Sequence, residues 1–571
     1  MTLPFAMLQT LKILSLAILV GAQASPTPSA NLTVKLSYGS FQGNATGNVV
    51  EFLGMPFAAP PVGDLRFAPP RPPAPFTGVR QATSFGAACF QQAINATALS
   101  APLGDIGSAI AKGIAGFTNV SEDCLFINVI KPANLTAGKS VPVLFWMYGG
   151  GFVDGDTSAN PGNSVVARSI ALNEPVIYVS ANYRLNALGF LGGKEAKAAG
   201  LGNAGLRDQR FAMQWVQDNI AAFGGDPTKV TIWGESAGAV SVGLHLVLNN
   251  GNPGGLFRGA VMESGSPFPL SDITAQQPLF DQLVNNTGCT GSRDPISCLR
   301  AVTFQNISSA INLSPNIFSF TSLQRSSSWN PSVDGQFITR SPIESLQKGL
   351  YARVPIISGD CDDEGTLFSL SNLNITTNAE FLAYMHSNYL VPNDQLAALG
   401  QAYPDNVTQG SPYGTQNQSA LSPQFKRLAA IQGDLQFQGP RRFFLKIASK
   451  TQKTFAFLFK RGKTTPVLGA FHSSDIAEFY GVESNINATS PDFIGTDALV
   501  NFANTGDPNL PNNSMSLLSA MNWPAWTAST SPPLLTFIDP APNVTITFDT
   551  YRVDAMNLLT NISFAIPSNN N

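Results

Sequence analysis

Serine, histidine and carboxylate, the side chains that can relay a proton to and from an acyl group, occur in this chain in a setting that suits acyl transfer. The serine is Ser236, within Gly234-Glu235-Ser236-Ala237-Gly238. Glycines on either side of such a serine allow a turn too tight for side chains, which lifts the hydroxyl clear of the backbone in a strained conformation. Five-residue Gly/Ser patterns recur by chance, so the flanks carry the weight. Apolar, mostly β-branched residues (Val230, Thr231, Ile232, Trp233) lead in as a strand. A small-residue run from Ala237 through Leu244 leads out as a helix.

A serine hydroxyl becomes a nucleophile when a neutral imidazole takes its proton and a carboxylate holds that imidazole. The chain has 3 histidines, so the base can be sought by elimination. His245 sits among Val242, Leu244 and Leu246 on the helix that leaves the serine, and reads as a packed helix residue. His386 lies in a polar-flanked helical stretch and reads as a surface residue. His472, in a Gly-bearing loop after an apolar strand, is placed to reach across the strand ends, and it is the expected base.

For the acid, the chain order Ser, Asp/Glu, His directs attention to the segment between Ser236 and His472. There Asp360, Asp362, Asp363 and Glu364 follow a buried strand. Four carboxylates cannot all be buried and ionised, so most must be solvated or paired, and position alone does not choose among them. An oxyanion hole needs backbone N–H groups unobstructed by side chains. The residue after the nucleophile, Ala237, supplies one, and Gly149-Gly150-Gly151 at the end of a strand is the expected second source. The chain carries neither a Walker lysine nor a G-x-G-x-x-G run, which disfavours phosphate cradling. No His/Cys cluster has metal-ligand spacing, so no metal and no cofactor are expected.

Those residues need a scaffold that brings strand ends together. Buried strands are expected at Val141 to Met147, Pro175 to Ser180, Gly259 to Glu263, Val354 to Ser358 and Thr454 to Phe459, with an amphipathic helix from Leu206 to Phe223. Strands alternating with helices imply an α/β fold, a mainly parallel sheet with helices on both faces and ligands at the carboxyl ends of the strands. Val34 to Phe41 and Asn48 to Leu53 read as an opening antiparallel pair. The polar stretch from about Asn372 to Leu435 reads as helical excursions outside the sheet.

Composition narrows the setting. Charged residues are 12% of the 571 and the net charge is −3, so no basic footprint for nucleic acid or anionic membrane exists. Lys12, an apolar run from Ile13 to Val20 and Ala22-Gln23-Ala24 form a secretory signal peptide over residues 1–24. That run is too short to span a bilayer, and no later stretch is long enough, so a soluble extracellular protein is expected. Glycosylation sequons at Asn31, Asn44, Asn95, Asn134, Asn306, Asn374, Asn406, Asn487 and Asn543 fit a glycoprotein. With 5 cysteines, sequence proximity pairs Cys89 with Cys124 and Cys289 with Cys298, leaving Cys361 free; other pairings stay open. Between Cys89 and Cys124, Leu103, Ile106, Ile110 and Ile114 recur at helical spacing. A packed loop and a movable lid both fit that pattern.

Taken together these blocks resemble the type-B carboxylesterase/lipase family of α/β-hydrolases. The matching stretches are Phe52 to Phe67, Ser121 to Leu125 with Asn128-Val129, Gly149 to Gly151, Asn182-Tyr183-Arg184, Asp208-Gln209-Arg210, Phe223 to Pro227, the serine turn, Asp363-Glu364-Gly365 and the His472 loop. The resemblance covers nearly the whole chain after the signal peptide, which implies a single domain over residues 25–571. It implies a Ser–His–Glu triad, selecting Glu364 as the acid, with oxyanion donors at Gly150, Gly151 and Ala237. It also implies disulfides Cys89–Cys124 and Cys289–Cys298, and ion pairs Arg66–Glu122 and Arg184–Asp208. Gly359 to Phe368 and Asp549 to Arg552 are most similar to secreted fungal lipases and sterol esterases, whose first disulfide loop (here about 89–124) is a flap over an acyl tunnel. The expected substrate is then a lipophilic ester at a lipid–water interface, or, in the alternative, a short-chain or bulky aromatic ester. The cholinesterase branch is disfavoured because no Trp lies between Cys89 and Cys124. The non-catalytic adhesion branch is disfavoured because it lacks the serine kept here as Ser236.

Overall fold

A computed structural model describes residues 32–93, 103, 104, 107, 119–136, 138–321, 328–484, 491–510 and 512–565. The expected signal peptide over 1–24 lies outside the described residues, as do Ile106, Ile110 and Ile114 of the expected flap helix and the sequons at Asn31, Asn95 and Asn487.

Strands β1 (Thr33–Leu36), β2 (Gly39–Gln42) and β5 (Val79–Gln81) form a small sheet. The other eleven form one large sheet: β3 (Asn44–Thr46), β4 (Val49–Pro56), β6 (Phe126–Pro132), β7 (Val141–Met147), β8 (Ile177–Ala181), β9 (Gly225–Glu235), β10 (Gly259–Glu263), β11 (Ile356–Cys361), β12 (Thr454–Phe459), β13 (Pro533–Phe537) and β14 (Val544–Phe548). Their order is β14-β13-β12-β11-β10-β9-β7-β8-β6-β4-β3. From β8 to β13 every neighbouring pair is parallel, and the flanking pairs are antiparallel. β7, β8, β10, β11 and β12 are buried at every position. That explains why β7, β8, β10 and β12 read in the sequence as mainly apolar runs instead of alternating ones, while β11 buries Ser358 and Asp360 within it.

The opening pair differs from expectation. Val34 to Phe41 folds back on itself at Ser37-Tyr38, with Leu36 opposite Gly39, so it is a hairpin in its own right. The Asn48 to Leu53 run belongs to β4, which pairs with β3 and β6. Val49, Val50, Phe52, Leu53 and Met55 are all buried, and such a strand is stabilised in a sheet interior and not in a surface hairpin.

Alternation along β7 and β9 directs side chains to two helical layers. Trp146 and Trp233 face one side, where their rings meet Tyr480 at 5.2 and 4.7 Å and the helices Ile476–Tyr480 and Ile494–Thr505 pack. Val143 faces the other, beside Ile220 at the end of the helix Ala204–Asn219. A 3-10 turn over Ile220–Phe223 extends that helix to Gly224, which adopts φ 89°, and β9 begins at the next residue. Residues 372–435 carry the helices Asn378–Tyr389, Asn393–Ala402 and Phe425–Gly433 around a separate apolar cluster. The disulfides are Cys89–Cys124 and Cys289–Cys298, and Cys361 is free and buried. Arg66 pairs with Glu122 at 2.6 Å and also donates to the carbonyls of Leu299 and Val302, tying the two disulfide regions together. No helix among the described residues is long and apolar enough to cross a membrane.

Candidate active site

Because the central strands run parallel, the loops after β7, β9, β10, β11 and β12 emerge at one edge of the sheet. β9 ends at Glu235, and Ser236 follows with φ 54° and ψ −124° before the helix Ala237–Val247 begins. The glycines around it have no room for a side chain: a Cβ on Gly238 would lie 1.9 Å from Met147 O, and one on Gly234 would lie 2.5 Å from Gly238 C. The strain is held by backbone hydrogen bonds, with Ser236 N donating to Glu263 O at 2.9 Å and Val240 N to Ser236 O at 2.9 Å.

Asp360 lies near the end of β11 and Asp362, Asp363 and Glu364 follow it in the loop, and all four are buried. Three are engaged elsewhere. Asp360 accepts from Arg441 Nε at 2.7 Å, and Arg441 in turn binds Asp549 at 2.9 Å. Asp362 accepts from Lys463 at 2.8 Å and lies 3.3 Å from Lys460. Asp363 accepts from Lys463 at 2.5 Å, from Ser411 at 3.0 Å and from the N–H groups of Tyr413 and Ala470. Pairing, not solvation, is how this acidic run is tolerated.

Glu364 alone faces the histidine, with Oε2 2.6 Å from His472 Nδ1. Its Oε1 accepts from Ser264 Oγ at 2.6 Å and from Cys361 N at 2.7 Å. The acid and histidine loops are joined by backbone, since Asp363 N donates to Ala470 O at 2.9 Å and Thr366 Oγ1 to Leu468 O at 2.8 Å. His472 Nε2 then lies 2.8 Å from Ser236 Oγ. With the proton on Nδ1, the imidazole donates to Glu364 and accepts from the serine, the polarity that a nucleophilic relay requires.

Burial pushes the His472 imidazole down, opposed by Glu235, Asp475 and Asp360, which favours an unprotonated ring. Burial pushes Glu364 up to about 8 against the donors Ser264 and Cys361 N–H, so the relay polarity just described is that of its ionised form, which an imidazolium 2.6 Å away would stabilise. The other histidines are elsewhere. His245 is buried with Nε2 3.0 Å from Gln209 Oε1, and burial drives it down to about 3. His386 is exposed, and its Nδ1 lies 2.9 Å from Val391 O.

Gly150 and Gly151 follow β7 with φ 96° and 60°, and with Ala237 they line the same cavity as Ser236 and His472. Gly149 touches the serine turn: a Cβ there would stand 2.9 Å from Ser236 Cβ. The cavity is about 330 Å³ and mostly apolar, walled by Phe268, Leu270, Phe318, Leu367, Phe368, Phe437 and Phe471. Phe437 and Phe368 hold their ring centroids 4.6 and 5.1 Å from the imidazole. Leu103, from the expected flap, packs against a cluster that includes Leu367 and Phe471.

Several residues of this site were not singled out from the sequence. Ser264 binds the acid, and Glu235 lies 3.4 Å from His472 Nε2 while accepting from Ser473 Oγ. Burial raises Glu235 to about 7. Glu235 sits inside the serine motif and could have been flagged there; nothing local marks Ser264. Among the described residues no His/Cys/Asp/Glu group is arranged to hold a metal ion.

The model of the carboxylesterase family matches residues 30–552 of the chain. The chain is 41% identical over 496 residues to lipase 2 of Diutina rugosa, covering 84% of this chain and 86% of the relative. It is 41% identical to secreted lipase 1 of Botryotinia fuckeliana, covering 88% of each. With the secreted triacylglycerol lipase LIP1 of Gibberella zeae the identity is 37%, covering 94% of this chain and 91% of the relative. Among solved structures, Aspergillus niger EstA superposes with a TM-score of 0.77 at 26% identity, covering 93% of this chain and 98% of that one.

Proposed function

The chain belongs to the carboxylesterase family and is a carboxylic ester hydrolase, and from that premise we propose that it is a secreted lipase cleaving lipophilic acyl esters through Ser236, His472 and Glu364. The single observation that carries the reading is the unbroken line from Ser236 Oγ to His472 (2.8 Å) to Glu364 (2.6 Å) on the wall of a Phe-rich cavity. In this reading Ser236 attacks the ester carbonyl while His472 Nε2 takes its proton and Glu364 steadies the imidazolium. The N–H groups of Gly150, Gly151 and Ala237 receive the tetrahedral oxyanion. His472 then returns the proton to the leaving alcohol, and water repeats the sequence on the acyl-enzyme.

The apolar walls support a lipophilic acyl group, because a chain seated there gives up water at roughly 25 cal/mol per Å² buried. The relatives named as secreted lipases, the leader sequence and the two disulfides support an extracellular setting. The sequons at Asn44, Asn134, Asn306, Asn374, Asn406 and Asn543 are all exposed, as glycan attachment requires.

Ser236→Ala is expected to abolish hydrolysis of a nitrophenyl ester while leaving the thermal melt unchanged. Retained turnover in a pure, folded variant would overturn the nucleophile assignment. A lipase is expected to gain rate as a triglyceride passes its solubility limit; simple saturation with short-chain or aryl esters and no such gain would favour a non-lipolytic esterase.

A further inference from the structure

The cavity wall that presents Gly150 and Gly151 also carries Asp154. This residue is 5% exposed, and among the described residues no hydrogen bond or cation reaches its carboxyl. Its Oδ1 fills the space a side chain at Gly150 would need: a Cβ there would lie 2.0 Å away. The backbone holds it so, because Val153 N and Asp154 N both donate to Gly150 O, at 3.0 and 3.1 Å. The carboxyl therefore rides on the same tight turn as the Gly150 and Gly151 N–H groups.

The charged and titratable groups around it do not compensate it. On its own loop are Tyr148 and Asp156, the latter bonded to Ser158. After β8 come Tyr183 and Arg184, whose Nε and Nη2 are held by Asp208 at 2.8 and 2.7 Å. The serine turn adds Glu235, and the same cavity is lined by His472, whose imidazole burial pushes down. Burial first, then the charges of Asp154 and Glu235, push the Tyr183 phenol up, which places both carboxyls in one neighbourhood. Burial alone raises Asp154 to about 7.

We propose that Asp154 governs the ester-cleaving step and permits it only in its uncharged form, because an ionised carboxyl beside the Gly150–Gly151 turn opposes the negative charge that must develop there. A buried like charge a few ångströms away acts through low dielectric and is poorly screened. Asp154 has this role only if Ser236 is the nucleophile and the Gly150–Gly151 turn receives the oxyanion, as proposed above.

The test is the pH dependence of kcat/KM on a soluble nitrophenyl ester for wild type and Asp154→Asn, with fluorophosphonate labelling located by peptide mass spectrometry. Wild type is expected to lose about tenfold or more, reversibly, between neutral and alkaline pH, and the isosteric amide to keep its rate over that interval. If the amide does not fold by thermal melt, Asp154→Ser, which needs less room, carries the same expectation. A variant that keeps the wild-type alkaline fall, a loss that is uniform at every pH, or a wild type without the fall overturns the proposal. Labelling at Ser236 alongside such a result overturns the role of Asp154 alone. Labelling at another residue overturns the nucleophile assignment and the role of Asp154 with it.

Discussion

Glu364→Gln replaces one carboxylate oxygen by an NH2 group with almost no change of shape, and the surrounding donors decide which oxygen is lost. Oε1 accepts from Ser264 Oγ at 2.6 Å and from Cys361 N at 2.7 Å. The Cys361 N–H belongs to the backbone and cannot turn away, so an NH2 at that position would face a donor with a donor. The amide oxygen must stay there and the NH2 must point at His472 Nδ1, 2.6 Å away. An NH2 only donates, so Nδ1 must accept and the ring proton moves to Nε2. Nε2–H then faces Ser236 Oγ across 2.8 Å as a donor and cannot take its proton. Every distance survives while the polarity of the relay is reversed. The expected loss in kcat is about 10⁴-fold, equivalent to about 5 kcal/mol of transition-state stabilisation. Stability is expected to hold, since the substitution removes a carboxyl that burial has raised to about 8. The assay is kcat and KM on a nitrophenyl ester with a thermal melt on the same preparation. A folded variant retaining more than about a tenth of wild-type kcat would refute the argument from tautomer.

Gly238→Ala puts a Cβ 1.9 Å from Met147 O, a backbone atom that cannot rotate aside. It is expected to cost about 3 kcal/mol, at the upper end for overpacking, read by denaturant or thermal unfolding. A variant as stable as wild type would show that the serine turn is not tight. Stability should also depend on pH in a definite direction. Burial raises Asp154, Glu235, Asp360 and Asp475 to about 7, and Glu364 and Glu478 to about 8. For each, the folded pKa exceeds the unfolded one, so its contribution is fully present below the unfolded pKa and is lost as pH rises through the folded value. Asp549, held down to about 2 by Arg441 and Arg442 against burial, works oppositely and loses its contribution only as pH falls toward 2. The melting temperature is therefore expected to peak in mildly acidic buffer and to fall toward pH 8; a rise over that interval would contradict the carboxyl assignments.

The buried strands were legible because a strand covered on both faces is mostly apolar, and β7, β8, β10 and β12 are so but for single polar residues such as Ser180 and Glu263. β4 is also largely apolar, but its apolar run does not say which strand it pairs with. Strand pairing depends on which other segment completes its ladder, and for β4 that is β6, far along the chain. The four carboxylates at the end of β11 and just beyond it show the same limit at the site. All four fall within the five residues 360–364, so their local environments look alike in the sequence. Lys463 and Arg441, from other parts of the chain, remove Asp360, Asp362 and Asp363 from contention. Family resemblance pointed to Glu364, but the residue pattern alone did not. Asp154 went unnoticed because its significance comes from the missing partner around its carboxyl, which only a folded environment defines.

What the sequence determined by itself is the local geometry. A strand, Gly234, a serine, Gly238 and a helix specify a strained turn, because glycine alone tolerates the approach of Met147 O and Gly238 C there. Gly149 to Gly151 likewise declare a turn free of side chains. The tertiary structure decided the chemistry around that turn. Glu364 and His472 are 108 positions apart and Ser236 and His472 are 236 apart. They meet because parallel strands deliver their ends to one edge and hydrogen bonds from Asp363 and Thr366 lock two loops together. Hydrogen-bond polarity and the burial of a charge are properties of that assembled edge, and no stretch of chain carries them alone.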